Sequence, residues 1–229
     1  AHGASTVEQH ANALLELKDF ASLLGQRLGE MHVVLGKPTD NPDFKTEVTS
    51  VEDSQASAKS VGGQIERALD LLEQHRDTLE PGDQQLVSEL LSKRQTLLAQ
   101  VQTLAKQSVG GLRMRVHGDL HLGQMLVVKG DAYLIDFEGE PARPLQERRA
   151  KYSPFKDVSG VLRSFDYAAA MAVRNAQSAD TSAQAESARL HVAETYLKQA
   201  REAFLGAYKT ATVDVGHAWK DTQGEAAAL

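Results

Sequence analysis

The sequence predicts an α+β fold, mainly α-helical, with one small β-hairpin. Three observations carry that reading. Apolar residues recur at steps of three and four over long stretches on either side of the chain's centre. Two short apolar runs, Met125 to Val128 and Ala132 to Ile135, flank the turn signal Lys129-Gly130-Asp131. Nothing before Arg113 has the alternation of a strand. The chain divides into a helical part over 1–110, a loop and hairpin over 111–144, and a second helical part over 145–229. Its 229 residues suffice for one domain or two small ones, and a unit of that size buries roughly 70% of its unfolded surface.

Composition narrows the function classes. The net charge of −6 argues against general nucleic-acid binding. Without cysteine there is no disulfide framework and no thiolate chemistry. No apolar run approaches the ~18 residues of a membrane span, and no signal peptide is recognisable. Neither nucleic acid nor membrane is an expected partner, and the expected location is cytoplasmic. The chain begins at Ala1 rather than Met, as a processed or excised polypeptide would.

Taken in order, Leu17, Ala21, Leu24, Leu28, Met31 and Leu35 mark one face of a first helix, which Gly36 and Pro38 stop. His32 falls near that face and is read as a packed histidine. Residues 36–50 are a loop by composition. Val51 to Leu79 forms a second helix. Pro81-Gly82-Asp83 breaks it, with Asp83 placed to cap the next. Leu86, Leu90, Leu97, Val101 and Leu104 mark a third long helix, ended by Gly110-Gly111 and paired with the second as an antiparallel hairpin. Beyond the centre, Ser153-Pro154 starts a helix whose stripe is Phe155, Val158, Leu162, Phe165 and Ala169. Thr181-Ser182 starts another, with Leu190, Ala193, Leu197, Ala200, Phe204 and Tyr208 near one face. The remainder, from Val213, holds the single tryptophan, Trp219.

The chemistry is concentrated between Arg113 and Pro144. His117-Gly118-Asp119 is followed five residues later by Gln124, and the second apolar run ends on Asp136. A hairpin over this stretch brings Gln124 and Asp136 side by side, with Asp119 on the loop facing them. Phosphoryl transfer needs hard oxygen ligands for Mg²⁺ and a carboxylate that orients the attacking hydroxyl and takes its proton. The kinase pattern is an aspartate, four residues, an amide, and later a strand ending in Asp-Phe-Gly. Here Gln replaces the usual Asn, and Asp136-Phe137-Glu138 replaces Asp-Phe-Gly. From Arg143 to Arg174 there is a local excess of cations, including Arg148, Arg149, Lys151, Lys156 and Arg163. They form either salt bridges on short helices or a positive rim near phosphates and product.

HGDLHLGQ followed by IDFEGEPARPLQERRAKYSPFKDVSGVLRSFDYAA resembles the maltokinases, of the aminoglycoside-phosphotransferase-like kinase superfamily, across 113–170. The resemblance implies a protein-kinase-like C-terminal lobe. It implies ATP and Mg²⁺ as cofactors, maltose as acceptor and maltose 1-phosphate as product. Asp119 would be the base, and Gln124 and Asp136 the metal ligands. His121, Glu138, Glu140 and Arg143 would lie at or behind the substrate. His117 and Asp157 would support the catalytic loop from behind, Asp157 by accepting hydrogen bonds from its backbone. The N-terminal lobe of such a kinase, with its Gly-rich loop and strand-borne lysine, is not seen before Arg113. The expected partners are therefore a missing N-terminal kinase lobe and, in a fusion, a trehalose synthase domain. This piece alone would be inactive. Aminoglycoside, choline and homoserine kinases share the motifs around HGD, so another hydroxyl acceptor is an alternative. A non-catalytic helical interaction module is a second.

Overall fold

The computed structural model describes residues 2–176 and 182–213. Thr181 and the stretch with Trp219 lie outside them. The described residues form two compact units, one from 2–47 together with those between 112 and 213, the other from 48–111.

In the first unit, α1 (His2–Leu35) packs chiefly against α7 (Ala183–Thr212), and α6 (Phe155–Ala176) packs against α7 as well. The buried stripe of α1 is Ala21, Leu24, Gly25, Leu28, Gly29 and His32. Its two glycines let the helices approach. A Cβ on Gly25 would overlap the Phe204 carbonyl, and one on Gly29 would meet the Ala211 methyl at 2.6 Å. From α7 come Ala200, Phe204, Tyr208 and Thr212, four residues apart, all buried. The Phe204 and Phe165 rings meet edge to face at 5.8 Å. Along α6 the buried side chains are Phe155, Asp157, Val158, Val161 and Phe165, whereas Leu162 and Ala169 are only half-buried. Ser182 caps α7, its hydroxyl accepting from Ala185 N at 3.2 Å.

The hairpin is built as the turn residues require. Strand β3 (Met125–Val128) pairs antiparallel with β4 (Asp131–Leu134), Val128 opposite Asp131. Lys129 and Gly130 hold φ of 53° and 80°, the two left-handed positions of a type I′ turn. Only Met125 and Ala132 of the hairpin are buried, and Leu126, Val127, Val128 and Tyr133 are exposed. Its tip is clamped to α1, where Arg27 Nε donates to Asp131 Oδ1 at 2.7 Å. That bond, and then the Ala132 amide, hold the Asp131 carboxyl below the usual carboxylate range. A carboxyl depressed on folding stabilises the fold above its unfolded pKa, and the contribution is lost as pH falls through the folded value. The melting temperature of Asp131→Asn should therefore lie below that of wild type at neutral pH and converge with it under acid. A gap that persists unchanged in acid would exclude this clamp.

The second unit contains α2 (Val51–His75), a short 3₁₀ turn (Arg76–Thr78), α3 (Pro81–Ser92) and α4 (Arg94–Gln107). Ser50 and Asp53 form a full capping box at the start of α2, with bonds of 3.0 and 3.1 Å. Thr49 closes the unit's ends, donating to the Gly111 carbonyl at 2.8 Å and accepting from Gly110 N at 3.0 Å. The single third helix expected from the sequence is two helices, broken at Lys93, where φ is −92° and ψ 0°. Asp83 does not cap. The chain enters α3 through Glu80 and Pro81, without a side-chain cap, and Asp83 lies in the first turn. Leu86, Leu90 and Leu104 are exposed, and Val87 is the buried residue of α3. α2 packs mainly against α4, and Arg94 reaches Asp70 at 2.7 Å and Glu73 at 3.3 Å. Two ends, β1 (Glu47–Val48) and β2 (Leu112–Arg113), flank this unit in sequence.

Candidate active site

Asp157 is the anchor of the site. Its carboxylate is fully buried in the first turns of α6 and accepts from two consecutive loop amides, His117 N at 2.8 Å and Gly118 N at 2.9 Å. His32 of α1 adds a third contact, Nε2 to Asp157 Oδ2 at 3.1 Å, and its Nδ1 lies 2.9 Å from the Tyr208 hydroxyl. A carboxylate accepts only, so the His32 proton facing it is on Nε2, and with one ring proton Nδ1 accepts from Tyr208. Burial pushes the Tyr208 hydroxyl well above its ordinary range, which keeps it a donor. A chain of buried polar groups thus runs from α7 through α1 and α6 to the loop.

His117 is itself buried. Its Nε2 donates to the Ile135 carbonyl at 2.8 Å, its ring lies 4.8 Å from that of Phe137, and its Nδ1 is left to accept from Asp119 N at 3.4 Å. The histidine therefore ties the loop to the end of β4. Gly118 sits at a φ of 89°, where a side chain would be strained. The loop's other side rests on α6. Gly160 lies so close that a Cβ would overlap the Leu120 carbonyl oxygen. Leu122 N donates to Ser164 Oγ at 3.3 Å.

Gln124 and Asp136 meet at the base of the hairpin. Ile135 N donates to Gln124 O at 3.0 Å, and the two side chains approach to 3.1 Å, Gln124 Nε2 to Asp136 Oδ2. Asp136 is exposed and holds a φ of 66°, a left-handed conformation that costs a non-glycine residue roughly 1–2 kcal/mol. Such an outlier, two residues past a strand, is of the kind that clusters at functional sites. The amide group of Gln124 and the Asp136 carboxylate lie side by side, Gln124 Nε2 donating to the carboxylate, and their oxygens are of the hard type that could hold Mg²⁺. Among the described residues no group of three or more His, Cys, Asp or Glu could hold a metal. Two protein ligands fit an ion that keeps waters and phosphate oxygens.

Asp119 is half-buried and lines a groove of about 930 Å³. One wall is the loop from Gly118 to Gly123, and the other is the face of α6 bearing Lys156, Ser159, Arg163 and Tyr167. His121 sits at the rim, exposed, with Nδ1 accepting from Gly123 N at 3.1 Å, which braces the loop. Glu140 lines the groove too, and Arg143 is engaged with acids, Nε to Glu140 at 2.8 Å and Nη1 to Glu147 at 3.3 Å. The Glu138 carboxylate is exposed with no hydrogen-bond partner among the described residues. Three participants escaped the sequence reading. His32 appeared there only as packing, Lys156 only as one cation among many, and Gly160 not at all. A fully buried histidine facing a lone buried aspartate is the signal, and it is visible only in three dimensions.

No protein-family model matches the chain. Its fold is similar to part of the fold of solved kinases. A solved glucosamine kinase in complex with glucosamine, ADP and inorganic phosphate superposes with a TM-score of 0.73 at 20% identity, covering 96% of this chain and 48% of that one. Another crystal form of glucosamine kinase gives 0.71 at 21% identity, covering 91% of this chain and 44% of that one. In sequence, the chain is similar to a glucosamine kinase of Mycolicibacterium smegmatis, 34% identical over 101 residues, 44% of this chain and 23% of the relative. A glucosamine kinase of Streptacidiphilus jiangxiensis is 30% identical over 95 residues, 42% of this chain and 20% of the relative. The chain spans less than half the length of each of these proteins. These relatives are sugar kinases, and none of them is a maltokinase. Among the described residues no helix is long and apolar enough to cross a membrane.

Proposed function

We propose that this chain is the C-terminal lobe of an ATP-dependent sugar kinase, carrying its acceptor-activating carboxylate and its metal ligands. The observation that supports this most is the placement of Asp119 on a loop that Asp157 pins through two backbone amides, with Gln124 and Asp136 meeting at the base of the hairpin that follows the loop. In this reading Asp119 orients a sugar hydroxyl in the groove and takes its proton as the hydroxyl oxygen bonds the γ-phosphorus and the bond to ADP breaks. Gln124 and Asp136 would hold Mg²⁺, and the ion would supply charge neutralisation at the phosphates. His117 and Asp157 keep the loop in register with β4. The remaining nucleotide contacts come from an N-terminal lobe, in keeping with the similar structures being about twice this chain's length.

For the acceptor, glucosamine is the sugar of the named relatives. Maltose is supported by the DFEGEPARPL string. Mass spectrometry of the products from ATP, Mg²⁺ and a panel of maltose, glucose and glucosamine, using a polypeptide that carries this chain with its N-terminal lobe, separates them. A phosphorylated sugar supports the reading and names the acceptor; no phosphorylated sugar from any of them counts against it. Asp136→Ala should weaken Mg-nucleotide binding by at least the ~10–100-fold that damage to a metal's supporting residues costs. Unchanged Mg-ATP affinity in calorimetry would remove Asp136 from the metal site.

A further inference from the structure

The face of α6 opposite Asp119 carries two cations that no carboxylate pairs among the described residues. Lys156 and Arg163, seven residues apart, lie on one face of the helix and line the same groove as Asp119. Among the described residues neither side-chain cation has a hydrogen-bonded or ion-paired partner. This sets them apart from Arg143, which is engaged by Glu140 and Glu147, and from Lys151, which is held by Glu47 at 2.6 Å. Lys156 is half-buried, and its ammonium sits 4.0 Å from the centre of the Tyr152 ring. The ring satisfies one side of the charge and leaves the other N–H donors for the groove. Burial pushes this ammonium below the usual lysine range and Arg143 acts in the same sense, while the carboxylates of Asp157, Glu140 and Asp119 oppose it. A desolvated cation without a counter-ion is a cost that a bound anion removes.

We propose that Lys156, with Arg163 behind it, forms a subsite for the phosphate of the sugar-phosphate product, on the acceptor side of Asp119. The proposal rests on the sugar-kinase reading. Once transfer is complete, a phosphate monoester of nearly two negative charges lies in a groove already lined by Asp119 and Glu140. Without cations that product would be expelled by like charge before its sugar could hold it. Lys156 and Arg163 supply the opposing charge where Arg143 cannot, its guanidinium being taken up by Glu140 and Glu147.

The test is calorimetric titration of the chain with glucose 1-phosphate, glucosamine 6-phosphate and maltose 1-phosphate, beside inorganic phosphate and glucose. At least one sugar phosphate should bind about tenfold or more tightly than either inorganic phosphate or glucose. Lys156→Met should lose about tenfold of that affinity, and Lys156→Arg should keep most of it. Thermal melts show that each variant is folded. A folded wild type that binds no sugar phosphate more tightly than inorganic phosphate overturns the proposal, and so does a folded Lys156→Met of unchanged affinity. Lys156-dependent binding from a protein that phosphorylates no sugar would leave the subsite standing and sink the kinase reading. Sugar phosphorylation with Lys156-independent product affinity would do the reverse.

Discussion

Asp157→Ala should destabilise the first unit by about 3–5 kcal/mol, the range for removing one partner from a buried charged network. The carboxylate is fully buried and accepts from His117 N, Gly118 N and His32 Nε2. Alanine leaves those three buried donors without their acceptor, and each unsatisfied buried donor costs about 1–3 kcal/mol. Part of that is relieved as the loop shifts, so the total stays nearer the lower sum than the higher. Asp157→Asn keeps one acceptor oxygen but turns an NH₂ group toward a backbone N–H, and should fall between alanine and wild type. Urea denaturation measures both. A loss under about 1 kcal/mol for the alanine variant would mean the loop is held by something else. Because the loop carries Asp119, the folded fraction of either variant should also lose turnover, which a purely distant packing defect would spare.

The second large effect falls on chemistry alone. Asp119→Asn keeps the shape and the half-buried setting of the side chain but cannot take a proton. A positioned general base contributes typically ~10²–10⁴-fold, and turnover should fall by that factor. Gln124 and Asp136 are untouched, so Mg-nucleotide affinity should stay within about threefold of wild type, an interval small beside the tenfold of 1.4 kcal/mol. Loss of nucleotide binding together with turnover would show that Asp119 belongs to the metal set. Asp119 lines the groove with Lys156, whereas neither Gln124 nor Asp136 does, and this separation underlies the expected split.

The hairpin was legible because its determinants are local. A Lys-Gly turn between two short apolar runs dictates register, and register brings Gln124 beside Asp136 without help from the rest of the fold. The pinning of the loop was legible only through resemblance, since Asp157 follows His117 by forty residues and nothing in composition links them. The tight α1–α7 packing was not legible. Gly25 and Gly29 count as helix weakeners in one dimension, and their partners Phe204 and Ala211 lie at the other end of the chain. Periodicity also misjudged Leu86, Leu90 and Leu104. It detects a face, but not whether another element covers it. The break at Lys93 has no glycine or proline to announce it, so two helices looked like one. Arg143 seemed free for substrate because sequence shows its charge and not the two glutamates that occupy it.

The most direct measurement is the amount of sugar phosphate formed by wild type and by Asp119→Asn, side by side, in the two-lobed polypeptide. It is read by mass spectrometry with ATP, Mg²⁺, maltose, glucose and glucosamine. The account predicts a singly phosphorylated sugar from wild type and about a hundredfold less, or lower still, from the variant. No phosphorylated sugar from any acceptor, or a variant within about tenfold of wild type, would contradict it.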